Sequence, residues 1–127
     1  MTTSDVMNEP PAKSSDPRIE VDQCDCASII TLLGEHDVST RRSLHKQIER
    51  VARHGTPVIV DLSRAKFIDS TIISELAVAH QNGYEIALVA PAHYEGTRLV
   101  ELIGIGTIVP TYPTRDAAMA AFQPPRS

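Results

Sequence analysis

The sequence predicts a single α/β domain, a mixed β-sheet with an opening hairpin and flanking helices. Three observations lead there. Two apolar segments near the start are separated by only a short turn. After them, short apolar runs alternate with stretches of helical periodicity. Most of these segments end at Gly or Pro, the residues that punctuate connections. Strand–helix alternation after a hairpin is the pattern of a mixed sheet covered by helices.

The elements follow in order. The chain has 127 residues, enough for one domain and too few for two. Residues 1–17 mix Ser, Thr, Asp and Glu with Pro10, Pro11 and Pro17 and have little to bury, so a disordered tail is expected. Residues 123–127 read as a second, shorter tail, which leaves 18–122 for the domain. Ile19 and Val21 alternate with Arg18, Glu20 and Asp22, the period of a half-buried strand. Ala27 to Leu33 forms a second strand after a turn near Cys24 and Asp25, and Gly34 is expected to end it. From Ser39 the period changes, with Leu44, Ile48 and Val51 recurring at helical intervals until Gly55 closes the helix.

Val58 to Leu62, after Pro57, is a short apolar run suited to a buried central strand. A helix is expected from Ser70 to Asn82, with Ile72, Ile73, Leu76, Ala77 and Ala79 as its apolar face and Gly83 as its stop. Glu85 to Val89 is a strand ended by Pro91. Tyr94 to Ile103 reads as a helix before Gly104, and Ile108 with Val109 as a short extended piece. Thr114 caps a last helix through Phe122, with Asp116 in the first turn, where the helix dipole favours a carboxylate. The predicted order is ββαβαβα(β)α.

Composition narrows the function. An apolar fraction of 42% describes a globular chain, and 12 Lys and Arg against 16 Asp and Glu give a net charge of −4. That balance leaves no electrostatic footprint for direct binding of nucleic acid. With no Trp, 3 Tyr and 2 Phe there is no aromatic platform for single strands either. The pair Arg41-Arg42 reads as a solvated helix face. The N-terminus lacks the apolar core of a signal peptide, and no run approaches the ~18 apolar residues of a membrane span. A cytoplasmic protein without membrane attachment is expected, and two cysteines, Cys24 and Cys26, are too few for a disulfide framework.

Enzymatic and metal chemistry find little support. Cys24 and Cys26 make at most half a metal site, and His36, His45, His54, His80 and His93 form no pair at ligand spacing. Ser70 lacks the Gly-x-Ser-x-Gly elbow of a hydrolase, and no Gly-rich phosphate loop is present. Neither a catalytic residue nor a metal or other cofactor is expected. Asp37 and Asp69 suggest no substrate pocket. Ser70 stands out for its place, after a strand and a short loop and at the start of an amphipathic helix. Unpaired backbone N–H groups there favour an anion, a covalently attached phosphate included. A Ser in this position equally suits an ordinary helix cap.

The segments Gly34-Glu35-His36-Asp37 with Thr40, Val60-Asp61-Leu62 and Phe67-Ile68-Asp69-Ser70-Thr71, then Arg98-Leu99, Leu102, Gly104 and the closing helix, stand in an order that resembles the STAS domain of bacterial anti-sigma factor antagonists. The resemblance spans about residues 18–122. It implies that Ser70 is phosphorylated by an anti-sigma factor of the serine-kinase type. The unphosphorylated domain would bind that factor, and a phosphatase would reset it. Asp37, Asp69, Ser70 and Thr71 would then carry the partner contact. Ile72 departs from the family, which usually has Gly there; an altered partner surface is the expectation, and the modifying kinase is thereby in question. The alternative is a phosphorylation-independent STAS sensor or scaffold with a nucleotide or other small ligand. The sequence assigns neither the sigma factor nor the oligomeric state.

Because residues 1–15 contribute no apolar face, their removal should leave the melting temperature nearly unchanged in thermal denaturation. A fall of several degrees would mean that this segment docks on the domain.

Overall fold

The computed structural model describes residues 16–24, 26–53, 55–91, 104 and 108–122. Within them the elements are β1 (Arg18–Gln23), β2 (Ser28–His36), α1 (Val38–Ala52), β3 (Val58–Asp61), β4 (Ala65–Ile68), α2 (Ser70–Gln81), β5 (Ile86–Val89), β6 (Thr111–Tyr112) and α3 (Arg115–Phe122). The helix expected over 94–103 lies outside the described residues, as do Arg98, Leu99 and Leu102.

The turn between the first two strands is too short for anything but a hairpin. It closes with Cys24 N–H donating to the Ala27 carbonyl at 2.8 Å, and β1 pairs antiparallel with β2 from Arg18 opposite Leu33 to Gln23 opposite Ser28. The later connections are long enough to cross over, so β2–β3, β3–β5 and β5–β6 pair in parallel. The sheet order is β1-β2-β3-β5-β6, with β4 lying beside the far end of β2.

Successive side chains of a strand point to opposite faces, and the core divides accordingly. Ile30 and Leu32 of β2, Val58 and Val60 of β3 and Ile86 and Leu88 of β5 pack with Leu44 and Ile48 of α1 and Ile72, Ile73 and Leu76 of α2. On the opposite face Ile29, Ile59 and Val89 pack with Ala118 of α3. Two helices thus cover one face and α3 the other.

Four expectations change. Gly34 does not end its strand: β2 runs on to His36, and Gly34 sits at φ 82° where the pairing with β4 shifts register. A Cβ would strain that backbone, so glycine serves as a bend within the strand. The first helix is capped by Asp37 rather than opened by Ser39. Strand β4 was not expected, since Ala65–Ile68 shows a buried-exposed-exposed-buried pattern without a period of two. The last short strand is Thr111–Tyr112, while Ile108 and Val109 form the turn before it, with Val109 fully buried. Thr114 does cap α3, accepting from Ala117 N–H at 3.1 Å. Among the described residues, no helix is long and apolar enough to cross a membrane.

One charged side chain fastens α3 to the sheet. Arg115 Nε donates to Asp61 Oδ2 at 2.5 Å, and its second terminal nitrogen donates to Thr31 Oγ1 at 2.7 Å. Asp61 is buried at the end of β3, and its other oxygen accepts from the Ser63 amide and hydroxyl. Burial alone would raise the Asp61 pKa, but the hydrogen bonds from Ser63 and Arg115 outweigh it and hold the carboxyl below the ordinary aspartate value. Arg115→Ala would leave a buried carboxylate short of its cation. The expected loss of unfolding free energy is about 2 kcal/mol, below the range for fully buried pairs because the guanidinium is partly solvated. A depressed carboxylate pKa contributes stability above the unfolded value and loses it as pH falls through the folded one. The gap between parent and variant should therefore narrow in acid, as urea unfolding at pH 7 and at pH near 3 would read.

Candidate functional site

The site begins with a strand register. β2 and β4 run parallel and finish together, His36 opposite Ile68, and the Asp69 N–H donates to the His36 carbonyl at 3.2 Å. The next residue in each segment is an aspartate, and each aspartate is the N-cap of a helix. Two helix N-termini therefore open side by side at one end of the sheet.

Both caps are complete. Asp37 Oδ1 accepts from Ser39 Oγ at 2.6 Å and Ser39 N at 2.9 Å. These bonds, the hydroxyl first, hold the exposed Asp37 carboxyl below the ordinary aspartate value. Asp69 Oδ1 accepts from Thr71 Oγ1 at 2.6 Å, Thr71 N at 3.0 Å and Ile72 N at 3.3 Å. His36 supports the arrangement from beneath. It is fully buried, with Nε2 facing the carbonyls of Leu33 at 2.9 Å and Arg18 at 3.2 Å and Nδ1 at 3.1 Å from Thr40 Oγ1. Facing two carbonyls, Nε2 carries a proton, and the Thr40 hydroxyl beside Nδ1 also donates to the Asp37 carbonyl at 3.1 Å.

The structure brings Asp37, Asp69, Ser70 and Thr71 to this one end, and it separates the two hydroxyls. Thr71 Oγ1 is spent on the Asp69 cap. Ser70, the first residue of α2, is exposed, and its hydroxyl makes no hydrogen bond among the described residues. Val38 and Phe67, 64% and 51% exposed, stand at the same end. Ile72 lies beneath this surface. Its side chain, where the resemblance led to the expectation of glycine, is fully buried in the core on a helical backbone and lies away from the exposed face.

Sequence reasoning missed the groove beside Ser70. It encloses ≈ 510 Å³ between α1 and α2 and is lined by Arg41, Arg42, His45, Ser70, Thr71, Ser74, Glu75 and Val78. Arg41 is no simple solvated residue, because its guanidinium lies 3.3 Å from Glu75 Oε1. Glu75 is 7% exposed, on the face of α2 that packs inward. The available signal was this carboxylate within the pattern Ile72, Ile73, Leu76, Ala79, together with an Arg and a His four residues apart on α1.

His45 is the histidine nearest to a catalytic arrangement, and its hydrogen bonds argue against a base. Nδ1 lies 2.6 Å from Glu75 Oε2 and Nε2 lies 3.4 Å from Glu49 Oε2. A ring between two carboxylates holds its proton, and the hydrogen bond to Glu75 above all raises the His45 pKa over the ordinary 6.5. No hydrogen bond joins it to Ser70. His36, the other histidine at this end, is committed to the strand as described, and His93 lies outside the described residues. Cys24 and Cys26 are free thiols on the hairpin turn.

A raised histidine pKa stabilises the fold below the unfolded value, and that contribution fades as pH rises through the folded one. The His45–Glu75 link between α1 and α2 should therefore be strongest below about pH 6.5. In an NMR titration the His45 ring should show a midpoint above that value, and Glu75→Gln should bring it down. An unchanged midpoint in the variant would remove Glu75 as the cause.

A family model described as "Mlab, STAS domain" matches residues 19–110. Among solved structures, an anti-sigma factor antagonist from Mycobacterium paratuberculosis is 28% identical, with 87% of this chain and 97% of that chain covered at a TM-score of 0.77. SpoIIAA in its unphosphorylated form is 14% identical over 82% of this chain and 96% of its own, with a TM-score of 0.63. The Bacillus cell fate determinant SpoIIAA in the phosphorylated form is 15% identical over 84% and 100%, with a TM-score of 0.59. The likeness to SpoIIAA speaks for the fold alone. No curated protein sequence matches the chain. The family match spans the sheet from β1 almost to β6 and takes in both capped helices, and the chain belongs to the STAS domain family.

Proposed function

We propose that this protein is an anti-sigma factor antagonist. In its unphosphorylated form it binds an anti-sigma factor of the serine-kinase type, and phosphorylation at Ser70 switches it off until a phosphatase resets it. The observation that carries this reading is the exposed Ser70 with a hydroxyl uncommitted among the described residues, next to the Asp69 cap at the end of the sheet where the Asp37 cap also opens. The likeness to the mycobacterial antagonist supports the partner class. Exposed Val38 and Phe67 beside Ser70 supply apolar contact for a docking protein.

The chemistry asks little of this chain. Transfer of a γ-phosphoryl group from a nucleoside triphosphate forms the Oγ–P bond at Ser70 and breaks the bridging P–O bond. The nucleoside diphosphate leaves, and the hydroxyl proton passes to a base on the kinase. The product brings about −1.5 to −2 charges to the contact surface. Docking would have to desolvate that charge, a penalty that reaches several kcal/mol when no cation matches it.

Ser70→Ala should therefore bind the anti-sigma factor constitutively, and Ser70→Asp should bind it weakly, both with native circular dichroism. A loss of about 2.7 kcal/mol corresponds to a hundredfold weaker complex. Phosphosite mapping after incubation with the kinase should place the label on Ser70 and spare Thr71. The groove beside Ser70 favours a second reading, a phosphorylation-independent STAS sensor or scaffold with a nucleotide ligand. Tight binding by Ser70→Asp, an unlabelled Ser70 and a melting temperature raised by a nucleotide would together select it.

A further inference from the structure

A phosphate on Ser70 needs partners, and the N-terminus of α2 does not supply the usual ones. Two of the amides that would receive an anion there, Thr71 N–H and Ile72 N–H, already donate to Asp69 Oδ1. The Asp69 carboxylate is itself negative and adjacent. Across the groove the balance is reversed. Arg41, Arg42 and His45 of α1 line the same space as Ser70, against the single carboxylate of Glu75 on α2. The Arg42 guanidinium forms no ion pair among the described residues. Arg41 is half exposed and held only by a 3.3 Å contact with Glu75, and Glu75 keeps the shorter 2.6 Å bond from His45 if Arg41 leaves.

On the reading of Ser70 as a phosphate acceptor, we propose that Arg41 and Arg42 form the receptor for that phosphate, tying α1 to α2 in the modified state. Guanidinium groups suit a phosphomonoester dianion because they donate in pairs to two of its oxygens. The phosphorylated protein is then a neutralised and internally clasped form. Modification withdraws Arg41 and Arg42 from any acidic surface of the partner at the same time as it adds bulk at Ser70. The charged groups around the groove are Arg41, Arg42 and His45 of α1 and Glu75 of α2, with Glu49 of α1 against His45 and the Asp69 cap next to Ser70.

Genetic encoding of phosphoserine at position 70 tests the clasp in the full chain without a kinase. In a phosphorus-31 NMR titration the second ionisation of the phosphate should fall about one unit below its ordinary ~6. Arg42→Gln should restore part of that shift and Arg41→Gln with Arg42→Gln all of it. Equal ionisation in the parent and the double variant, both with native circular dichroism, overturns the proposal. The encoded phosphoserine should also raise the melting temperature of the parent, with the gain shrinking at high salt and vanishing in the double variant. A comparable rise on adding inorganic phosphate to the unmodified chain would overturn it too, since the groove would then serve free anions. Failure of the kinase to label Ser70 would sink the switch alone, because the encoded phosphoserine reports on the clasp regardless.

Discussion

The parallel pairing of the last residues of β2 with β4 is the constraint on which this end of the molecule depends. His36 stands opposite Ile68, and the peptide after each strand end enters a helix through an aspartate. A one-residue slip would turn every β4 side chain to the other face, exposing Ile68 and withdrawing Asp69 from its cap. The register shift at Gly34, with its positive φ, lets β2 leave β3 and follow β4. His36 then fastens the bend, since its ring bonds to carbonyls on two strands and to the first turn of α1. Strand geometry, a buried ring and a glycine together decide where Ser70 stands.

Charge is distributed over the fold in two different ways. The Asp61–Arg115 pair is central to the sheet and joins a terminal helix to it, so it is structural. The Arg41–Glu75–His45 cluster bridges two helices at the rim of a solvent-filled groove, where partners can exchange without opening the core. Arg115 is held by two short hydrogen bonds, to Asp61 and Thr31, whereas Arg41 makes a single 3.3 Å contact with Glu75 and costs less to move. That difference makes the groove suited to a change of charge state and the Asp61 site unsuited to one.

Much of the fold was legible because burial on two faces writes itself into short apolar runs. Val58–Asp61 and Ile86–Val89, buried throughout, were found within a residue or so of their bounds. β4 escaped because it is only four residues long and its successive residues Lys66 and Phe67, which point to opposite faces, are both exposed, so no period survives. The caps were partly legible: Ser70 was placed at a helix start and Ser39 at the opening of the first helix, while Asp37 and Asp69 were read as contact residues and not as the caps they are. Glu75 was hidden for a general reason. Pattern reading treats a carboxylate in a helix as exposed, and only the approach of α1 shows that this one has an arginine and a histidine waiting for it.

At Ile72, where the resemblance led to the expectation of glycine, core packing meets the surface that carries the proposed switch. The side chain enters the core beside Ile73 and Leu76, while its amide serves the Asp69 cap on the outside. Apolar burial and cap hydrogen bonding thus converge on one residue, and both make the first turn of α2 stiffer than glycine would. A stiff turn presents Ser70 in one geometry before any partner arrives, which lowers the ordering cost of docking. It also denies the turn the freedom to rearrange around a phosphate. With the Thr71 and Ile72 amides already donating to Asp69, the proposed phosphate on Ser70 would leave side chains of the neighbouring helix, across the groove on α1, as the main means of accommodating its charge.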